Sequence, residues 1–318
     1  MSKYKTKPFS NNQLKTYPLR SRESKVKIDD FARAFSPTQP FIEFIDSLPD
    51  ILAGKDFKSF LKRMEMAKTK QKERVFALGA HVIKVGLNPV ILSLMEEGWI
   101  TALALNGAGI IHDFEIAMAG HTSEDVEDKI KNGQFGMAQE TGELLNEAIN
   151  SAESKDMGLG EAVGESIENS NFVHKDLSIL AAAYRLNIPT TVHVAIGTDI
   201  IHFHPMVDGK ALGNATLRDF FLFCSLCEKL DAGGIFVNVG SAVILPEVFL
   251  KAITCIRNKG ITLENFSTAV FDFHRHYRPD ENVVKRPLGK KGRGFYFIGH
   301  HEIMIPLLAA SLRSLSTQ

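Results

Sequence analysis

The sequence predicts an α/β fold, a mostly parallel sheet with helices on both faces, preceded by a basic N-terminal arm. Three observations carry this. Five short apolar runs read as buried strands. Helical patterns alternate with them along the chain, the order that generates parallel pairing and covers both faces of a sheet. No internal repeat and no linker rich in Pro, Gly or Ser divides the 318 residues, so one domain over 39–318 follows the arm at 1–38.

The elements follow in order. The arm lacks apolar periodicity and is expected to be extended. From residue 39 the spacing of Phe41, Phe44, Ile45 and Leu48 is helical, and Phe57, Phe60 and Leu61 continue it. A helix over 88–97 leads into a strand over 99–106 that ends at Gly107. A helix over 177–186 precedes a strand over 188–196, and a helix over 217–230 precedes one over 234–239. The segment beginning at Pro246 and stopping at Gly260 has helix punctuation at both ends and leads to a strand over 268–273. A fifth strand over 294–299 is followed by a C-terminal helix.

Composition narrows the function. With 37 Lys+Arg against 37 Asp+Glu the formal net charge is zero, which argues against a dedicated nucleic-acid binder. No apolar run is long enough for a membrane span, and the start has no signal-peptide character, so a cytoplasmic protein is expected. Three cysteines exclude a disulfide framework. Cys224 and Cys227 read as thiols packing as small hydrophobes in a helix. The neutral total hides a polarity. Residues 1–28 carry eight Lys/Arg and one acid, whereas 122–170 carry twelve Asp/Glu and three Lys. These stretches are candidates to meet across a subunit interface.

In open α/β sheets ligands bind beyond the carboxyl ends of the strands, so the residues there are the candidates. Gly107, Ala108 and Gly109 follow the first strand, and glycines there let backbone approach a ligand. Gly240 and Ser241 follow the third. The first of these segments is not a G-x-G-x-x-G fingerprint, and the second lacks the G-x-S-x-G of a hydrolase elbow. Seven histidines, His112, His202, His204, His274, His276, His300 and His301, fall at or near strand ends. The pairs His202/His204 and His274/His276 have the spacing that puts both rings on one face of an extended segment. With nearby carboxylates, His202, His204, His274, His276 and His300 would suit zinc or another transition metal. The glycine-rich basic loop 285–294 reads as an exposed turn, an anion clamp or the source of an imine-forming lysine.

The order of these segments resembles the deoxyhypusine synthase family from about residue 75 to the C-terminus. The resemblance rests on Leu78-Gly79, on Ala108-Gly109 with Asp113, on Ile188-Pro189, and on the segment from Asp199 to His204. It rests most specifically on Arg278-Pro279-Asp280-Glu281, followed by Gly289-Lys290, and on Ile305-Pro306-Leu307-Leu308. It implies a Rossmann-like domain in a homotetramer with active sites shared across a dimer interface. The implied chemistry is NAD-dependent oxidation of spermidine and transfer of its aminobutyl group, through a lysine imine, to a lysine of a translation factor. By position, Asp113 and Asp199 match acids that hold a polyamine, Glu281 matches the motif acid, and Lys290 the imine lysine. The chain departs from the pattern in five places. The loop before Lys290 is longer and lacks the family's tryptophan, which keeps Lys285 and Lys291 in contention. The catalytic histidine segment is replaced by Ile244–Phe249, and the nucleotide-site segment by Ala80-His81. Histidines, His274 and His300, stand where acids are expected. Three readings result: a deoxyhypusine-synthase-like transferase acting on a small amine, a metal-dependent enzyme using the rim histidines, and a non-catalytic ligand-binding homologue.

Overall fold

The computed structural model describes residues 2–316. Its centre is a six-stranded sheet: β1 (Arg74–Leu78), β2 (Ala102–Asn106), β3 (Thr190–His193), β4 (Ile235–Val239), β5 (Ser267–Asp272) and β6 (Arg293–Ile298). All five pairings are parallel and the spatial order is β3-β2-β1-β4-β5-β6. This is the doubly wound order, in which the connections reverse direction between β1 and β4.

Alternation along each strand divides the core. Phe76, Leu78, Leu103, Leu105, Val237 and Phe271 face one apolar cluster, built with helices that include Leu52–Thr69, Gly107–Ala119 and His301–Ser316. Val75, Ala77, Ala102, Ala104, Phe236 and Val270 face the other, with helices Gly209–Glu228 and Ile244–Asn258. Side chains of successive strand residues point to opposite faces, so a strand buried on both sides is apolar throughout.

Five of the six strands lie where the sequence places them. The sixth, β1, is the central strand and was not anticipated. Its apolar run is only Val75–Leu78, and it opens on an arginine after four charged or polar residues. Arg74 is nevertheless buried, because its guanidinium donates to the carbonyls of Ala67, Gly98 and Trp99. The link from β2 to β3 also holds helices Gln139–Ser151 and Leu159–Glu168, within a stretch that reads in sequence as acidic surface. The arm, residues 2–38, contains two short 3-10 turns, Leu19–Ser21 and Ile28–Asp30, and leaves Tyr4, Phe9 and Tyr17 exposed. Among the described residues no helix is long and apolar enough to cross a membrane.

Candidate functional site

A cavity of about 790 Å³ opens beside the carboxyl ends of β2 and β3. One wall is a single face of helix Gly107–Ala119, with Ala108, Ile111, His112, Glu115 and Met118 at helical spacing. The segment 121–141 forms the opposite wall, and Thr198, Asp199 and Ile200, from the loop after β3, close one end. Four carboxylates line it, Glu115, Glu124, Glu140 and Asp199, against one lysine, Lys84.

Asp199 is 8% exposed and lies against the first residue of helix Gly107–Ala119. A Cβ on Gly107 would sit 2.1 Å from Asp199 Oδ2, so only glycine lets the carboxylate take this place at the helix start. Burial pushes the Asp199 pKa up, and the neighbouring His202 opposes that rise. The two residues cap each other around the 3-10 turn Ile200–Phe203. His202 Nδ1 accepts from the N–H groups of Gly197 at 3.1 Å and Asp199 at 3.3 Å. A neutral ring that accepts at Nδ1 carries its proton on Nε2, and this buried nitrogen has no hydrogen-bond partner and lies 3.8 Å from Asp199 Oδ2.

His112 starts a second polar array. Thr122 donates its hydroxyl proton to Glu115 Oε2. It must therefore accept from His112 Nδ1, 2.7 Å away, which leaves the lone pair on Nε2. Thr141 donates to the other oxygen of Glu115 at 3.0 Å. Burial, helped by the charge of Lys84, lowers the His112 pKa to about 4, so the ring is neutral at physiological pH. Among the described residues, none of the four cavity carboxylates is in a salt bridge with a lysine or arginine.

The switch point between β1 and β4 is built differently. Gly79 donates its N–H to Val239 at 2.8 Å, and a Cβ on it would fall 2.1 Å from the Gly240 carbonyl oxygen. Gly240 has φ +66° and abuts the ring of His301, which packs 4.4 Å from the Phe273 ring. Ser241 Oγ accepts from Leu245 N–H at 3.2 Å, in the first turn of helix Ile244–Asn258. His301 is 1% exposed and its Nε2 lies 3.2 Å from the Phe271 carbonyl oxygen. That leaves Nδ1 as an acceptor without a partner. Asn106 Oδ1, Asn238 Oδ1 and Asp272 Oδ2 are likewise buried and unpartnered, at the ends of β2, β4 and β5. Four unused acceptors suit a ligand rich in hydroxyl and amide donors. The riboses and carboxamide of a nicotinamide dinucleotide carry groups of that kind.

The other sequence-derived candidates fall elsewhere. Asp113 is fully buried and accepts from Asn88 (3.0 Å), Ser178 (2.6 Å), Ile179 N–H (2.9 Å) and Leu180 N–H (3.0 Å). It fastens the start of helix Ile179–Arg185 and has no oxygen free for a ligand, which corrects its assignment as a substrate-holding acid. Gly109 is buried against Leu105. Glu281 and Lys285 lie in the helical segment after β5, and Lys290 in the exposed turn before β6. Because β6 begins level with the start of β5, Lys290 belongs to the amino-terminal edge of the sheet, opposite the end that carries Asp199. Lys285 is ion-paired with Asp280 at 2.7 Å and Glu281 at 2.8 Å, and these contacts raise its pKa.

The metal reading is also corrected. Among the described residues no three His, Cys, Asp or Glu side chains converge. His202 and His204 leave a 3-10 turn instead of an extended strand. His202 turns to the backbone of 197–199, while His204 packs against Gly142. The His274 and His276 rings are perpendicular at 6.1 Å, and His300 is exposed beside Phe273. His112 and His301 were visible in sequence as strand-end histidines. Thr122, Thr141 and Lys84 carried no signal.

An open, doubly wound parallel sheet with a cavity at its carboxyl end defines a Rossmann-like α/β protein. No family model matches the chain, and no curated protein does. Solved structures do match in fold. The apo arginine dihydrolase ArgZ, from the ornithine-ammonia cycle in cyanobacteria, is 17% identical with a TM-score of 0.50 over 83% of this chain and 33% of its own. AgrE, in ternary complex with ornithine and NAD+, is 13% identical with a TM-score of 0.52, over 82% of this chain and 33% of its own. A putative deoxyhypusine synthase from Entamoeba histolytica is 10% identical with a TM-score of 0.50, over 88% of this chain and 95% of its own. The chain thus spans a third of the first two and nearly all of the third. At these identities the likeness establishes the fold.

Proposed function

We propose that this chain is a deoxyhypusine-synthase-like enzyme that binds a small amine as a cation beside Asp199. One observation carries the reading. The cavity has four carboxylates and one lysine, and its most buried carboxylate, Asp199, has no lysine or arginine within salt-bridge distance among the described residues. An ammonium group is the complementary ligand, since an opposite charge nearby favours the ionised carboxylate that burial disfavours. The fold shared with a putative deoxyhypusine synthase, and with AgrE in complex with ornithine and NAD+, supports an amine-processing role.

NAD is the cofactor of this proposal, and it would supply a hydride acceptor. Asn106, Asn238, Asp272 and His301 would hold its hydroxyl and amide groups through their unused acceptors. Asp199 would hold the substrate ammonium, and neutral His112 would accept a hydrogen bond from an amine N–H through Nε2. Lys285 and Lys290 stand away from this cavity, so a lysine imine would draw on the 285–291 loop of a second copy. That arrangement agrees with a homotetramer in which the basic arm lies on the acidic 122–170 stretch of a neighbour, part of which borders the cavity.

Calorimetry with spermidine and with NAD tests the reading, followed by borohydride trapping with labelled spermidine. Saturable binding of both and a tag on a lysine of 285–291 are expected. Binding without a tag would favour a ligand-binding homologue. Absence of any amine binding would remove the proposal.

A further inference from the structure

The one lysine among the four carboxylates that line the cavity points to more than an amine. Lys84 ends the short helix Ala80–Lys84, which packs on helix Gly107–Ala119, and its ammonium is close enough to His112 to depress that ring's pKa. No carboxylate is within salt-bridge distance of it among the described residues, although Glu115, Glu124, Glu140 and Asp199 line the same cavity. A polyamine gains nothing from such a lysine and is repelled by it. Asp199 stands at the start of helix Gly107–Ala119, and His112 comes four residues beyond Ala108, a rise of about 6 Å. Asp199 and the Lys84–His112 pair therefore lie beside different turns of one helix. His112 offers a lone pair fixed by the bond of its other nitrogen to Thr122. Beside Asp199, His202 holds an unpartnered Nε2–H, in a side chain only 3% exposed.

We propose that the ligand of this cavity is a zwitterionic amine, an α-amino acid with a cationic side chain. Its carboxylate pairs with Lys84, and its side-chain ammonium pairs with Asp199. This rests on the amine-binding reading above and sharpens it, because it places amino acids ahead of polyamines. A carboxylate facing Lys84 also leaves the α-amine near His112, whose neutral ring accepts a hydrogen bond that an imidazolium could not.

Matched ligand pairs test it. Ornithine and putrescine differ only by a carboxylate, as do lysine and cadaverine. Calorimetry on the full chain should give each amino acid at least tenfold tighter binding than its diamine. Lys84→Met keeps the side-chain length at an exposed position. It should weaken both amino acids by at least tenfold while leaving the diamines unchanged or tighter. Asp199→Asn should weaken all four ligands together. Diamines binding as tightly as amino acids to the native chain, or Lys84→Met affecting both series equally, would overturn the proposal and leave amine binding standing. Absence of binding by every ligand, spermidine included, would remove the amine reading itself.

Discussion

Two charged regions of this molecule use their carboxylates in opposite ways. After β5, the segment 275–286 is closed on itself. Arg275 pairs with Asp280 at 3.1 Å, Arg278 with Glu247 at 3.2 Å, and Lys285 with both Asp280 and Glu281. At the cavity, Glu115 accepts from two threonine hydroxyls, and Asp199 faces a neutral histidine. In the first region each charge is answered from within the chain, so a ligand would have to displace a partner. In the second, negative charge is held in place by neutral donors and stays available. A sequence motif marks where charged residues are, but the fold decides which remain unanswered.

Asp113 and Asp199 give the sharpest form of this contrast, because both are candidate ligand acids and only one is free. Asp113→Ala would strand four buried donors, and the expected loss is on the order of 4 kcal/mol of stability, read by chemical denaturation. Asp199→Asn should change stability little, because it removes a charge that burial disfavours. Its effect belongs to the ligand. Amine affinity should fall about 30-fold, or about 2 kcal/mol, the range for a hydrogen bond to a charged group. Glu281→Gln should leave that affinity unchanged in calorimetry. An equal loss from Glu281→Gln would break the comparison.

The next effect is smaller and concerns the His112 array. Thr122→Val removes the acceptor of Nδ1–H and one donor to Glu115, for about 1 kcal/mol of stability. Nitrogen NMR of the ring should show the tautomer preference lost. The same ring has a pH signature. Its folded pKa, about 4, lies below the ordinary imidazole value of 6.5, so between these values the unfolded chain binds the extra proton. Stability therefore falls as pH drops through this window. His112→Gln should flatten that part of the stability profile measured by denaturation between pH 7 and pH 4. An unchanged slope would show that the ring is solvated and not held by Thr122.

The sheet was largely legible in sequence because its outer strands are continuous apolar runs bounded by glycines and helical patterns. β1 was not, since a four-residue apolar run after charged residues has no signature until Arg74 finds four backbone carbonyls, those of Ala67, Lys72, Gly98 and Trp99. Asp199 could be found from its place after β3. The His112–Thr122–Glu115–Thr141 array could not, because an irregular segment of acidic composition folds back to bring residues 112 and 115 against 122 and 141. The histidine pairs misled for a related reason. Their spacing implies shared direction only on extended backbone, and the chain turns at Ile200–Phe203.

The weakest effect expected is at Lys285, and it tests the closed side of the comparison. An imine forms only from a neutral amine, and contacts with Asp280 and Glu281 hold this one protonated. Its pKa is raised above the ordinary 10.5, so the associated stability is complete at neutral pH and is lost only as pH climbs through the folded value. The lysine is also solvent-exposed, where ion pairs contribute little. Lys285→Met should therefore leave the melting temperature at pH 7 within experimental scatter and amine affinity unchanged. Borohydride trapping should label Lys290 before Lys285, because Lys290 has no carboxylate within salt-bridge distance among the described residues. Preferential labelling of Lys285 would mean that Asp280 and Glu281 release it when substrate binds. The segment would then be a latent part of the site instead of a closed network.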